Sequence, residues 1–201
     1  GGSTEAAAAF SRPTPAILAL VALCLSAMLL EGANIDWSAI YMRDAFSAVP
    51  FWAGFAVALG AGAQAATRFF ADSFVERWDP VLVARTLLAI MGLGAVILFV
   101  TPHALLAYGG VALIGVGSSA IFPLAMSAAA QRTDRPAAVN VAALAQLSFG
   151  TFILGPPLLG LIAEHWGERW IFGVGIPLVL VSLLFTHTLA TGRAKSVVPA
   201  R

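Results

Sequence analysis

The sequence predicts an all-α integral membrane protein, with six transmembrane helices arranged as a 3+3 inverted repeat. Three observations predict it. The 201 residues are 60% hydrophobic and only 10% charged, with a mean hydropathy of +0.91, whereas globular domains carry about 25% charged residues. Such a chain cannot cover a water-facing surface with polar groups, so a bilayer is its natural solvent. Six stretches approach or exceed the roughly twenty apolar residues that crossing a bilayer requires. Finally, Ala71-Asp72-Ser73-Phe74-Val75-Glu76-Arg77-Trp78 is echoed by Ala163-Glu164-His165-Trp166-Gly167-Glu168-Arg169-Trp170. Each echo closes one apolar stretch and opens another, as expected of two related three-span units.

The spans follow in order. The first covers about 15–41, with a polar second half, and the next about 50–70. The third covers about 80–100 and the fourth about 104–130. The fifth covers about 136–163 and the sixth about 170–190. Pro50, Pro80 and Pro136 suit a first helical turn, where a missing N–H costs nothing. Pro123 should bend the fourth span. Residues 1–14 read as a linker and 191–201 as a tail. The start is small, polar and Ala-rich, without the basic and apolar regions of a signal peptide. With no Met at its head, the chain reads as a segment of a longer one.

Basic residues set the orientation. Arg12, Arg68, Arg77, Arg85, Arg132, Arg135, Arg193, Lys195 and Arg201 fall on one side, and only Arg43 and Arg169 on the other. This positive-inside bias places both termini in the cytoplasm. It also puts the two Glu-Arg-Trp elements on opposite faces, as an inverted repeat requires.

Other chemistries are excluded by residue type. No basic cluster suits nucleic acid, and the net charge is only +1. Cys24 is the single cysteine, so neither a disulfide framework nor a thiolate metal site is expected. His103, His165 and His187 are scattered near span ends without the pairing that a metal needs. No Gly-rich phosphate loop and no Ser-His-Asp grouping is evident. The expectation is therefore no cofactor and no enzyme activity.

Ionisable groups inside spans are functional candidates by default. Glu31 follows the apolar run Ala16 to Leu30, deep in the first span. On a helix, Glu31, Asn34, Ser38 and Tyr41 share a face, and such a polar stripe should meet protein or a water-filled cavity. Desolvation favours the protonated form of a carboxylate, which suits proton exchange. The amides of Gln64, Asn140 and Gln146 suit either a polar solute or contacts between helices. Ser118 and Ser119, beside Gly115 and Gly117, suit close helix packing. Asp36 is expected to pair with Arg43 or cap a bend near Gly32, and Trp37 to anchor at the headgroup level. Trp52, Trp166 and Trp170 fit an aromatic belt.

Three stretches carry a resemblance. The run Arg68 to Arg77, with Asp72 within it, resembles the cytoplasmic loop signature between the second and third spans of each half in the major facilitator superfamily. Gly155-Pro156-Pro157-Leu158-Leu159-Gly160 resembles the Gly-Pro-Pro-rich end of that family's eleventh span. Glu31 to Ser38 resembles the seventh span of a bacterial, sugar-permease-like subgroup. The chain thus resembles the C-terminal half of such a transporter, half of its fold, over about 15–190.

The resemblance implies secondary active transport of a small solute by alternating access in a bacterial inner membrane. Proton coupling would run through Glu31. The pathway would include Glu31, Asn34, Ser38, Gln64, Asn140 and Gln146. A cytoplasmic gate loop would comprise Arg68, Asp72 and Arg77. The expected partners are the lipid bilayer, the solute, and an N-terminal six-helix half or a second copy. A drug or metabolite efflux permease, a six-span protein working as a dimer, and a non-transporting scaffold or sensor remain as alternatives.

Overall fold

A proline sets the start of each of the first three helices. The computed structural model describes residues 12–192, apart from the side chains of residues 71–76 and 191–192. Helix α1 (Pro15–Phe46) starts behind Thr14, whose Oγ accepts from the Ile17 N–H at 3.3 Å. This is an N-cap with proline at the first helical position. The helix ends at Ser47, which turns left-handed at φ 53° so that its N–H reaches the Met42 carbonyl. Helix α2 (Pro50–Arg77) and helix α3 (Pro80–Val100) follow, separated only by Trp78 and Asp79.

The fourth span is two helices, α4 (Ala104–Ser118) and α5 (Ile121–Ala130), broken at Ser119 and Ala120. Pro123 accounts for the break, because it has no N–H to donate to the Ser119 carbonyl four residues earlier. The fifth span is the long α6 (Ala137–Trp166), which carries Pro156 and Pro157 within it. The last span consists of α7 (Arg169–Gly173), α8 (Gly175–Phe185) and a 3-10 turn, Thr186–Gly192.

Short connections force successive spans to alternate in direction. The described start and end of the chain therefore lie at one end of the bundle, here called the termini end. The two echoed elements close α2 and α6, which finish at opposite ends, as an inverted repeat requires. Five stretches are long and apolar enough to cross a membrane: α1, α3, α4 with α5, α6, and the last span. Helix α2 is long enough, but Gly60, Gly62, Gln64, Thr67 and Arg68 dilute its apolar character.

Helix α1 is the hub of the core. Its Leu20, Leu23, Leu30, Tyr41 and Met42 are fully buried. Small residues let the backbones around it approach closely. A Cβ at Gly115 on α4 would collide with the Gly60 carbonyl of α2, and one at Gly94 on α3 would come within 2.7 Å of the Gly110 carbonyl on α4. Ser26 donates to Ser182 at 2.7 Å, and Ser182 to the Ala22 carbonyl at 3.1 Å, tying α1 to α8. Helix α6, by contrast, leaves Phe149, Ile153, Leu154, Leu158 and Leu161 exposed along its length.

The helices overrun the apolar stretches. Helix α1 continues five residues past Tyr41, and α2 continues seven past Phe70. The connection expected over about 72–79 is therefore helix as far as Arg77. Two smaller expectations are also corrected. Arg43 pairs with its neighbour Asp44 at 2.6 Å rather than with Asp36. Trp37 packs over Gly160 of α6 instead of anchoring at a surface.

Candidate functional site

Near the middle of the bundle height, two helices bring opposite charges together beside the break in the fourth span. Glu31 lies halfway along α1, and Arg68 lies two-thirds of the way along α2. The Arg68 Nη2 stands 3.4 Å from the Glu31 Oε1. Arg68 Nε also donates to the Ser119 carbonyl at 2.9 Å. That carbonyl is the one Pro123 cannot satisfy, so the guanidinium replaces the missing backbone donor at the C-terminal end of α4. A cation there also complements the helix dipole. One turn before Arg68, Gln64 donates to the Ser118 hydroxyl at 3.2 Å. The same break in the fourth span therefore meets both Gln64 and Arg68 of α2.

The pair has a reason to exist. A lone carboxylate or guanidinium inside a bilayer is costly, and neutralisation by a partner is the usual remedy. The pairing is nonetheless incomplete. The side chain of Glu31 is 17% exposed and that of Arg68 is 47% exposed. Their separation exceeds the roughly 2.7–2.9 Å of a strong charge-assisted bond. An aromatic wall stands beside them. The Phe152 ring lies 3.7 Å from where a Cβ at Gly32 would sit. Phe149 bridges Phe152 and Phe122, at 6.3 and 6.4 Å.

The other expected residues are dispersed. Asn34 is buried, and its Nδ2 donates to the Val111 carbonyl at 3.2 Å. Ser38 is buried and donates to the Asn34 carbonyl. Asn34 looks into the junction of α1 with α2 and α4, against Gly60 and Val111, rather than toward an opening. Asn140 sits in the first turn of α6, at the termini end, and donates to Asp134 at 3.0 Å. Gln146 is exposed on α6. Arg68 belongs to the Glu31 site within α2 and not to a loop. Arg77 is exposed at the last residue of α2, and the Asp72 side chain lies outside the described residues.

Sequence reasoning singled out Glu31 and Arg68 separately and missed their pairing. It also missed the role of Ser119. A signal was available: a proline four residues after a carbonyl orphans it, and an orphaned carbonyl in a membrane needs a side-chain donor. The same rule explains Tyr41. Its hydroxyl donates to the Leu98 carbonyl at 2.5 Å, and the residue four positions beyond Leu98 is Pro102.

At the termini end, Asp134 accepts from Asn140 and lies 3.6 Å from Arg132. Its carboxyl is held below the usual carboxylate range, chiefly by the Asn140 hydrogen bond and also by Arg132 and Thr14. Thr14 caps α1, so this loop joins the start of α6 to the start of α1. Arg135 adds a bond to the Arg12 carbonyl at 2.6 Å.

A bundle of apolar, membrane-length helices with an ion pair at mid-height defines an integral membrane protein built around a polar interior site. The Major Facilitator Superfamily profile matches residues 16–200, and the chain belongs to that family. It is 35% identical over 177 residues to an uncharacterised transporter of Sinorhizobium fredii, covering 86% of this chain and 46% of that protein. It is 29% identical over 174 residues to an uncharacterised MFS-type transporter of Yersinia pestis, covering 86% of this chain and 43% of that protein. The chain thus spans less than half the length of either relative. No solved structure matches it significantly. The family is one of membrane transporters rather than enzymes.

Proposed function

We propose that this chain is the C-terminal six-helix half of a secondary active transporter, which moves a small solute by alternating access in a bacterial inner membrane. Glu31 exchanges the coupling proton. The observation that carries this reading is the Glu31–Arg68 pair, loosely closed at 3.4 Å, partly exposed, and set at mid-height where transporter sites lie. A loose pair can open as alternating access exposes it. Gln64 and Gln146 contribute to the pathway. Asn34, Ser38 and Asn140 hold the helices that shape it. Asp72 and Arg77 form the gate at the cytoplasmic face, where the basic residues place both termini. The other wall of the cavity comes from a complementary six-helix half, consistent with the chain's share of its relatives' length.

The test is uptake by the native gene product in proteoliposomes, with sugars, organic acids and organic cations as candidate solutes. An imposed pH gradient should drive accumulation in the wild type. Glu31→Gln should abolish the accumulation while retaining exchange of solute across the membrane. Undiminished uphill uptake by Glu31→Gln would remove Glu31 from coupling.

A further inference from the structure

We infer that the solute is an organic monocarboxylate with an apolar body, docking on Arg68 in place of Glu31. The inference rests on the reading of Glu31 as the coupling residue and adds the substrate class. Arg68 is fixed at one edge, because its Nε is held by the Ser119 carbonyl at 2.9 Å. The guanidinium is thereby aimed, yet 47% of the side chain stays exposed. Its carboxylate partner is already present but held at 3.4 Å through one nitrogen. A free carboxylate able to reach about 2.8 Å, or to bind in a fork, outcompetes that contact.

Charge balance then dictates the stoichiometry. Glu31 and Arg68 together are neutral. A monocarboxylate on Arg68 leaves Glu31 as an uncompensated anion in a low-dielectric site, so Glu31 takes one proton from the water on the side that the cavity faces. Solute and proton leave together on the other side, and the ion pair re-forms. Among the described side chains, no other charged group is bonded to Glu31 or Arg68; the side chain of Asp72, one turn beyond Arg68 on α2, lies outside them. Helices α4, α5 and α8 carry no charged group. Glu164, His165 and Arg169 lie at the end opposite the termini, at the far end of α6 and the start of α7. Arg85 on α3 donates to Thr186, which places it and His187 toward the termini end. Asp36 on α1 is one and a half turns from Glu31 and exposed. The apolar body faces the ring wall of Phe122, Phe149 and Phe152, of which Phe149 is 54% exposed.

The test is thermal stabilisation of the purified native gene product in detergent by benzoate and phenylacetate, beside their neutral amides benzamide and phenylacetamide. At least one carboxylate should raise Tm saturably, and its amide should not. Arg68→Gln should lose the shift. Arg68→Lys, which keeps the charge, guards against simple misfolding and should retain part of it. Glu31→Gln removes the competing carboxylate and should tighten carboxylate binding several-fold, with its affinity no longer rising as the pH falls. Equal stabilisation by carboxylate and amide, a shift that survives in Arg68→Gln, or no shift from either carboxylate would overturn the inference. Proton-driven uptake of a neutral solute that needs Glu31 would also overturn it, while leaving the proposed function standing.

Discussion

Arg68 completes the backbone of a helix to which it does not belong. Its Nε–H reaches the Ser119 carbonyl at 2.9 Å, standing in for the donor that Pro123 lacks. The residue therefore has two tasks: it caps the broken fourth span, and it carries the positive charge that faces Glu31. The two tasks separate by mutation.

Arg68→Gln should destabilise the wild type by about 1 kcal/mol, the net value of a partly exposed hydrogen bond. Pro123→Ala restores an N–H within reach of Ser119, so Arg68→Gln should cost clearly less in that background. A double-mutant cycle on thermal or denaturant unfolding reads the difference. Equal costs in the two backgrounds would mean that the cap contributes nothing to stability.

Tyr41 does for α3 what Arg68 does for the fourth span. Its ring is fully buried, and its hydroxyl serves the Leu98 carbonyl that Pro102 leaves unpaired. Tyr41→Phe keeps the ring contacts with Phe46 and Phe172 but leaves that carbonyl without its donor. The expected loss is about 1–3 kcal/mol, seen as a lower Tm. No change in Tm would show that the hydroxyl is dispensable.

Gly115 and Gly60 set the spacing of α4 and α2. The obstacle to a side chain at 115 is the Gly60 carbonyl, which is backbone and cannot rotate away. Gly115→Val should force the two helices apart and lower stability by about 3 kcal/mol or more. Gly109→Val on the same helix meets nothing within 4 Å and should be near neutral. Comparable melting of the two variants would refute the close approach.

Asp134 gives the termini end a pH dependence. Its folded carboxyl titrates below the usual carboxylate range, because Asn140, Arg132 and Thr14 favour the ionised form. A depressed folded value contributes stability that is present above the unfolded value, near 4. That stability is lost as the pH falls through the folded value. Asn140→Ala removes the largest cause. The gap in Tm between wild type and Asn140→Ala should therefore be full at pH 6–7 and shrink toward pH 3. A gap that does not change with pH would assign the effect to packing of Asn140 instead.

Much of this protein was legible because the relevant signals are local. Transfer of apolar residues into a bilayer is a sum over a stretch of sequence, so spans could be read without knowing any neighbour. Proline fits the first turn of a helix, where its missing N–H costs nothing, which is why Pro15, Pro50 and Pro80 head α1, α2 and α3. The Glu-Arg-Trp echo needed only a comparison of the chain with itself. Ending the second span near Phe70 failed for an equally physical reason. Charge ends an apolar stretch, but it does not end a helix, and α2 runs nine residues beyond Arg68.

By itself, then, the sequence determined the membrane class, the order of the apolar helices, and which polar residues each of them carries. Only the tertiary structure decided where those residues point. Each residue turns a helix by about 100°, and apart from the polar stripe of α1 these helices are apolar on nearly every side, so the sequence leaves their relative rotation open. Close packing fixes it: Gly60 against Gly115 and Gly94 against Gly110 settle how the helices cross. That packing buries Asn34 and Ser38 and leaves Glu31 facing Arg68.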